Sequence, residues 1–271
     1  MKKLSSRAIS GLIFVSVLIF SILFSKISFI VVFYILMILC LFEFVRMIKL
    51  KSVFPYIIGT LLFIFSNILN VEDVPSRTIF EYVGVVLFLT IFISFASILF
   101  ANKERVISHL GKIFLSIIYI VVPFSLIVQI PFLNSSFNYV NTTILGVFIL
   151  IWTNDTFAFL IGSNFGKHKL LKRISPNKTI EGFIGGMIFT FIVSFFLTKQ
   201  FTALSQIEWL VIAAIVSTFG VLGDLIESMF KRQAGVKDSS NLIPGHGGFL
   251  DRFDSVIFAA PFIFIYLQLV Q

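Results

Sequence analysis

The chain has 271 residues, 58% of them hydrophobic and only 13% charged, and carries a formal net charge of +8. That charged share is about half the usual one and could not cover a water-exposed surface, which excludes a soluble globular enzyme and indicates an integral membrane protein. The positive charge is accounted for by loop cations that set membrane orientation and can also attract anionic lipid headgroups, so nucleic acid is not an expected partner.

In chain order, apolar runs near the ~20 residues needed to cross a bilayer fall at 8–24, 27–47, 53–70, 80–100, 113–132, 143–162, 183–198, 207–230 and 255–270. The expected fold class is therefore all-α and polytopic, with about nine transmembrane helices. The first run follows Met1, Lys2 and Lys3 but is long and lacks a small-x-small cleavage site, so it reads as a retained anchor. Placing the N-terminus in the cytoplasm puts every basic residue inside except Lys26, Arg77 and Lys199, as the positive-inside rule requires. The C-terminus is then extracytoplasmic, and loops 163–182 and 231–254 face the cytoplasm, where nucleotides are.

Residues 1–141 read as a scaffold of nearly uncharged spans. Cys40, the single cysteine, rules out an intramolecular disulfide and reads as a small buried hydrophobe. Glu43 and Arg46, three apart at the inner end of the second span, read as a local interfacial pair. The sequons at 134–136 and 141–143 are short, common patterns of little weight.

Residues 142–271 have a different character and form the expected catalytic region. Asp155 lies near the inner membrane boundary, where an acid is costly unless it meets a cation or makes a helix–helix hydrogen bond as the protonated form. Lys167, Lys169, Lys172, Arg173 and Lys178 then supply a cationic loop. The run from Ser175 to Gly182 reads as a turn leading into a helix, whose first N–H groups favour an anion; Lys178 and Thr179 are the expected phosphate contacts.

Farther on, Asp224 and Glu227 are one helical turn apart, with Ser228 and Lys231 continuing the same face. Asp251 and Asp254 repeat that spacing at the start of the last span. These carboxylates are oxygen ligands of the kind that Mg²⁺ requires. Lys231, Arg232, Lys237 and Arg252 lie among them, an alternation suited to a metal-chelated polyphosphate. The Pro244, Gly245, His246, Gly247, Gly248 run can form a tight turn whose N–H groups face an anion. His246 could ligate metal or act as an acid, though a histidine between glycines more often hydrogen-bonds phosphate or backbone.

The stretch from Ser228 to Asp254 resembles the signature of phosphatidate cytidylyltransferases, also called CDP-diacylglycerol synthases. It carries Ser228, Phe230, Lys231, Arg232, Lys237, Asp238, Ser240, Ile243, Pro244, His246, Gly247, Gly248, Phe249, Asp251, Arg252, Phe253 and Asp254 at matching spacings. The segment from Asp155 to Gly182 is also similar, above all ISPNKTIEG, although Phe159 stands where tyrosine is frequent. The resemblance implies transfer of the cytidylyl group of CTP to phosphatidate, Mg²⁺ as cofactor (one ion or two, with room for a monovalent cation), a homodimer, and a bacterial cytoplasmic membrane.

On this reading Asp224 and Asp251, with Glu227 and Asp254, hold metal. Lys231, Arg232 and Lys237 act with them in catalysis. Asp155, Lys167, Ser175, Lys178, Thr179, His246, Gly247, Gly248 and Arg252 contact substrate. Two rivals share part of the pattern: a CTP-dependent lipid-alcohol kinase, which needs a base to activate a hydroxyl, and a transporter. A transporter of this size commonly carries two repeated halves with midplane ionisable groups, whereas here the charge crowds one cytoplasmic edge of one half.

Overall fold

The computed structural model describes residues 2–67, 85, 86, 88–91, 106–133, 138–245 and 247–270, with side chains from Ile9 onward. Helices run as α1 (Lys2–Phe24), α2 (Lys26–Met47), α3 (Phe54–Asn67), α4 (Val106–Phe132), α5 (Asn141–Phe165), α6 (Ile180–Gln200), α7 (Gln206–Ala234) and α8 (Leu250–Val270). Among the described residues, α2 and α4 to α8 are long and apolar enough to cross a membrane, while α1 and α3 contribute shorter apolar stretches. The protein is thus a multi-pass helical membrane protein. The span expected at 80–100 falls almost wholly outside the described residues.

Hydroxyl caps set several helix boundaries. Ser25 breaks α1 from α2 and forms a capping box with Ser28, and Ser205 does the same with Glu208 at the start of α7, satisfying N–H groups that no helical carbonyl can reach. Two helices contain a π turn. In α4 it covers Ile117–Val121, ending two residues before Pro123, whose ring cannot continue a regular ladder. In α7 it covers Val216–Gly220. There Ser217 and Thr218 donate to the carbonyls of Ala213 and Ala214 at 2.8 and 2.7 Å.

One departure from the all-α expectation lies in the loop between α5 and α6. Strands β1 (Lys169–Leu171) and β2 (Ser175–Thr179) form an antiparallel hairpin in which Lys169 faces Thr179 and Leu171 faces Ser175. Residues 172–174 make the turn, so the segment from Ser175 to Thr179, expected as a turn, is extended. Pro176 fits because both strands of a two-stranded sheet are edges and need no donor on their outer side.

The core draws on both halves of the chain. Phe33 of α2 packs against Phe124 of α4, Phe148 of α5 and Phe253 of α8 at centroid distances of 6.5, 5.9 and 6.2 Å. Phe253 therefore pins the start of α8 between its acidic neighbours. Small residues then let backbones close up. A Cβ on Gly182 would lie 2.6 Å from the Ala158 carbonyl of α5, and one on Gly223 would lie 2.5 Å from the Asp254 carbonyl of α8. The second contact brings the acidic face of α7 against α8.

Candidate active site

The acids gather where α7 meets α8. Asp224 and Glu227 project from α7 one turn apart, and Asp254 meets them from α8, so that one carboxylate oxygen from each lies within 4.8 Å of the others. Glu227 is fully buried, and its Oε1 has no hydrogen-bond donor. Three carboxylates this close repel one another unless cations are present. Their hard oxygens and the unsatisfied Glu227 atom suit a divalent ion such as Mg²⁺.

Two lysines supply the positive charge in the described network. Lys231 Nζ pairs with Glu227 Oε2 and lies 2.7 Å from Asp251 Oδ1. Lys178, at the end of β2, pairs with Asp224 across the interface. Ser228 donates to Asp224 Oδ1 at 3.2 Å. Asp155 lies on α5, within electrostatic reach of Lys178, Asp224 and Arg252.

The four acids expected as metal ligands are therefore divided. Asp254 joins Asp224 and Glu227, while Asp251 stands one lysine away and is already saturated with donors. Its Oδ2 accepts from the Ser239 N–H at 3.0 Å, the Ser239 hydroxyl at 3.0 Å and the Gly248 N–H at 2.8 Å. Gly247, at φ +83°, passes so close that a Cβ would lie 2.6 Å from that same oxygen, which is why a residue free of side chain stands there.

Several residues expected to bind substrate have structural partners. Thr179 is buried, and its hydroxyl caps α6 by accepting from Gly182 N–H at 3.1 Å. Arg232 is exposed and donates to the Val236 carbonyl at 3.2 Å, near the end of α7. Lys167, Lys237 and Arg252 are exposed, and Ser175 is half-buried at the start of β2. His246 lies outside the described residues.

Ser239 and Glu181 were given no role of their own, and Glu43 was read as a local pair with Arg46. Glu43 is 1% exposed and takes its partners from residues 239–250 rather than from a local pair with Arg46. The signal was present, since an acid within an apolar span is costly wherever it occurs. Glu181 turns back from α6 to accept from the N–H groups of Lys167 and His168 and contacts His168 Nδ1 at 2.6 Å, fastening the base of the hairpin.

The chain is similar in sequence to known proteins. The profile of the Cytidylyltransferase family matches residues 5–270. A phosphatidate cytidylyltransferase of Bacillus subtilis is 37% identical over 278 aligned residues, covering 99% of each chain. Those of Staphylococcus saprophyticus and Staphylococcus aureus strain COL are 51% identical over 126 residues, covering 46% of this chain and 48% of theirs. The chain therefore belongs to the cytidylyltransferase family, among the phosphatidate cytidylyltransferases, and is an enzyme.

Proposed function

We propose that the enzyme joins CTP to phosphatidate, giving CDP-diacylglycerol and pyrophosphate, on the cytoplasmic side of a bacterial inner membrane. The observation that carries this reading is the meeting of α7 and α8, where Asp224, Glu227 and Asp254 gather beside Lys178 and Lys231. The full-length similarity to the Bacillus subtilis enzyme supports the choice of substrates.

In the proposed reaction, a phosphate oxygen of phosphatidate attacks the α-phosphorus of CTP in line. The new P–O bond forms as the bond to the β-phosphate oxygen breaks, and pyrophosphate leaves. A phosphomonoester has a second pKa of about 6, so the nucleophile is largely dianionic near neutral pH and needs no general base. That distinguishes the reaction from alcohol phosphorylation. The protein's work is positioning and charge neutralisation.

Asp224, Glu227 and Asp254 would hold Mg²⁺, which when bound supplies positive charge to the crowded phosphates. Lys231, held between Glu227 and Asp251, presents a fixed ammonium, and Lys178 presents a second from the hairpin. The exposed Lys167, Arg232, Lys237 and Arg252 would add positive charge that draws in anionic substrates. Their cytoplasmic placement follows from the distribution of basic residues, and a homodimer is part of the same proposal.

Detergent-purified protein given Mg²⁺, CTP labelled at the α-phosphate and phosphatidate should yield a labelled CDP-linked lipid. A polyprenol in place of phosphatidate should yield none. Transfer of a γ-label to the polyprenol would instead establish a lipid-alcohol kinase, and substrate uptake into vesicles without CTP consumption would establish a transporter.

A further inference from the structure

The loop from Ser239 to Leu250 is held by side chains far away in sequence: Ser10 donates to the Pro244 carbonyl at 3.0 Å, Phe14 packs on Phe249, and Glu43 takes four of its donors. Glu43 lies near the inner end of α2, among Leu41, Phe44 and Val45, all buried. Its Oε1 accepts from the Ser240 hydroxyl at 2.6 Å and the Phe249 N–H at 3.0 Å. Its Oε2 accepts from the Ser239 hydroxyl at 2.8 Å and the Leu250 N–H at 2.8 Å. The donors come from both ends of the loop, so this carboxylate closes it together with that of Asp251. Leu250 also begins α8, where the helix dipole favours a negative charge.

From Glu43 the contacts lead to the reacting groups. The Ser239 hydroxyl is 2.8 Å from Glu43 and 3.0 Å from Asp251 Oδ2, bridging two carboxylates with one proton, and Asp251 in turn holds Lys231. Gly248 provides an independent observation. A Cβ there would lie 2.0 Å from the Ser239 hydroxyl and 2.3 Å from Glu43 Oε2, so the second glycine of the pair is shaped around this carboxylate.

We infer that Glu43 is a positioning residue of the reaction: through Ser239 and the loop ends it sets the orientation of Asp251, and with it Lys231. The inference rests on the proposed transferase activity for its kinetic arm, while its amide-exchange arm is independent of it. The carboxylate must accept at both oxygens. Glu43→Gln puts an amide donor against at least one of the four donors, and Ser239→Ala removes the bridge.

The test compares the parent with Glu43→Gln, Ser239→Ala and the double variant in detergent. Backbone exchange at residues 239–250 should accelerate at least tenfold in Glu43→Gln while exchange in α5 and α6 stays at the parent rate. kcat should fall at least tenfold in each single variant with KM for CTP changed less than threefold. The double variant should be no slower than the worse single one, because both act along one path. Parent-like exchange across 239–250, a kcat within twofold of the parent, or multiplicative losses in the double variant would each overturn the role. An inactive parent would count against the transferase reading instead, and the exchange comparison would still decide on Glu43.

Discussion

The N-termini of α6 and α8 are both loop-to-helix junctions of the kind that bind phosphate, yet they use their first N–H groups differently. At α6 a neutral hydroxyl, Thr179, caps Gly182, and Glu181 reaches outward to the hairpin, leaving Lys178 beside the acid cluster. At α8 the N–H groups of Gly248, Phe249 and Leu250 are taken by Asp251 and Glu43. The second junction already holds its anions. The loop amides there order the protein's own carboxylates, whereas the N-terminus of α6 leaves Lys178 to pair with Asp224.

This contrast can be broken or sharpened by experiment. The largest effect is expected at Asp251, where Asp251→Asn releases Lys231 and the loop amides together. Turnover should fall by at least about 10³-fold, as when a preorganised charged group is lost, while the protein remains membrane-inserted. Near-normal pyrophosphate release would refute its assignment. Chelation should abolish turnover as completely, and added Mg²⁺ should restore it; activity that persists in chelator would remove the metal from the proposal.

Next comes Gly248→Ala, where the added methyl has no space. Overpacking of this kind costs about 2 kcal/mol, visible as a lowered Tm, and should reduce activity with it. At the other junction, Lys178→Met should lower kcat/KM about 10- to 100-fold, the scale of a lost charge-assisted contact. An effect below twofold would detach the hairpin from the site. Thr179→Ala is the smallest, costing about 1 kcal/mol of stability through the lost cap, measurable as a modest fall in Tm.

Much of this was legible from residue order because it depends on local spacing. Asp224, Glu227, Ser228 and Lys231 share a face by helical periodicity alone, and among the described residues six apolar runs coincide with helices long enough to cross a membrane, even where their ends moved. Asp251 and Asp254 were read at the edge of the last span, and α8 in fact begins at Leu250 and includes both. The hairpin was harder to see. Its strands are short and polar, and its pairing is set by the anchorage of Glu181 on Lys167 and His168 rather than by alternating hydrophobicity. Glu43 was misread for a related reason: Arg46 offered a nearby explanation, while its actual partners lie about two hundred residues away.

Composition and periodicity alone were enough to establish a helical membrane protein and to single out the acids of α7 and α8, because bilayer thickness and helix pitch act on neighbouring residues. Which acids gather into one cluster, which lysines pair with them, and which loop amides are already occupied were decided only when Gly223 let α7 close on α8 and Glu43 of α2 reached across to the signature loop. Those choices depend on distances between segments remote in sequence, and only packing determines them.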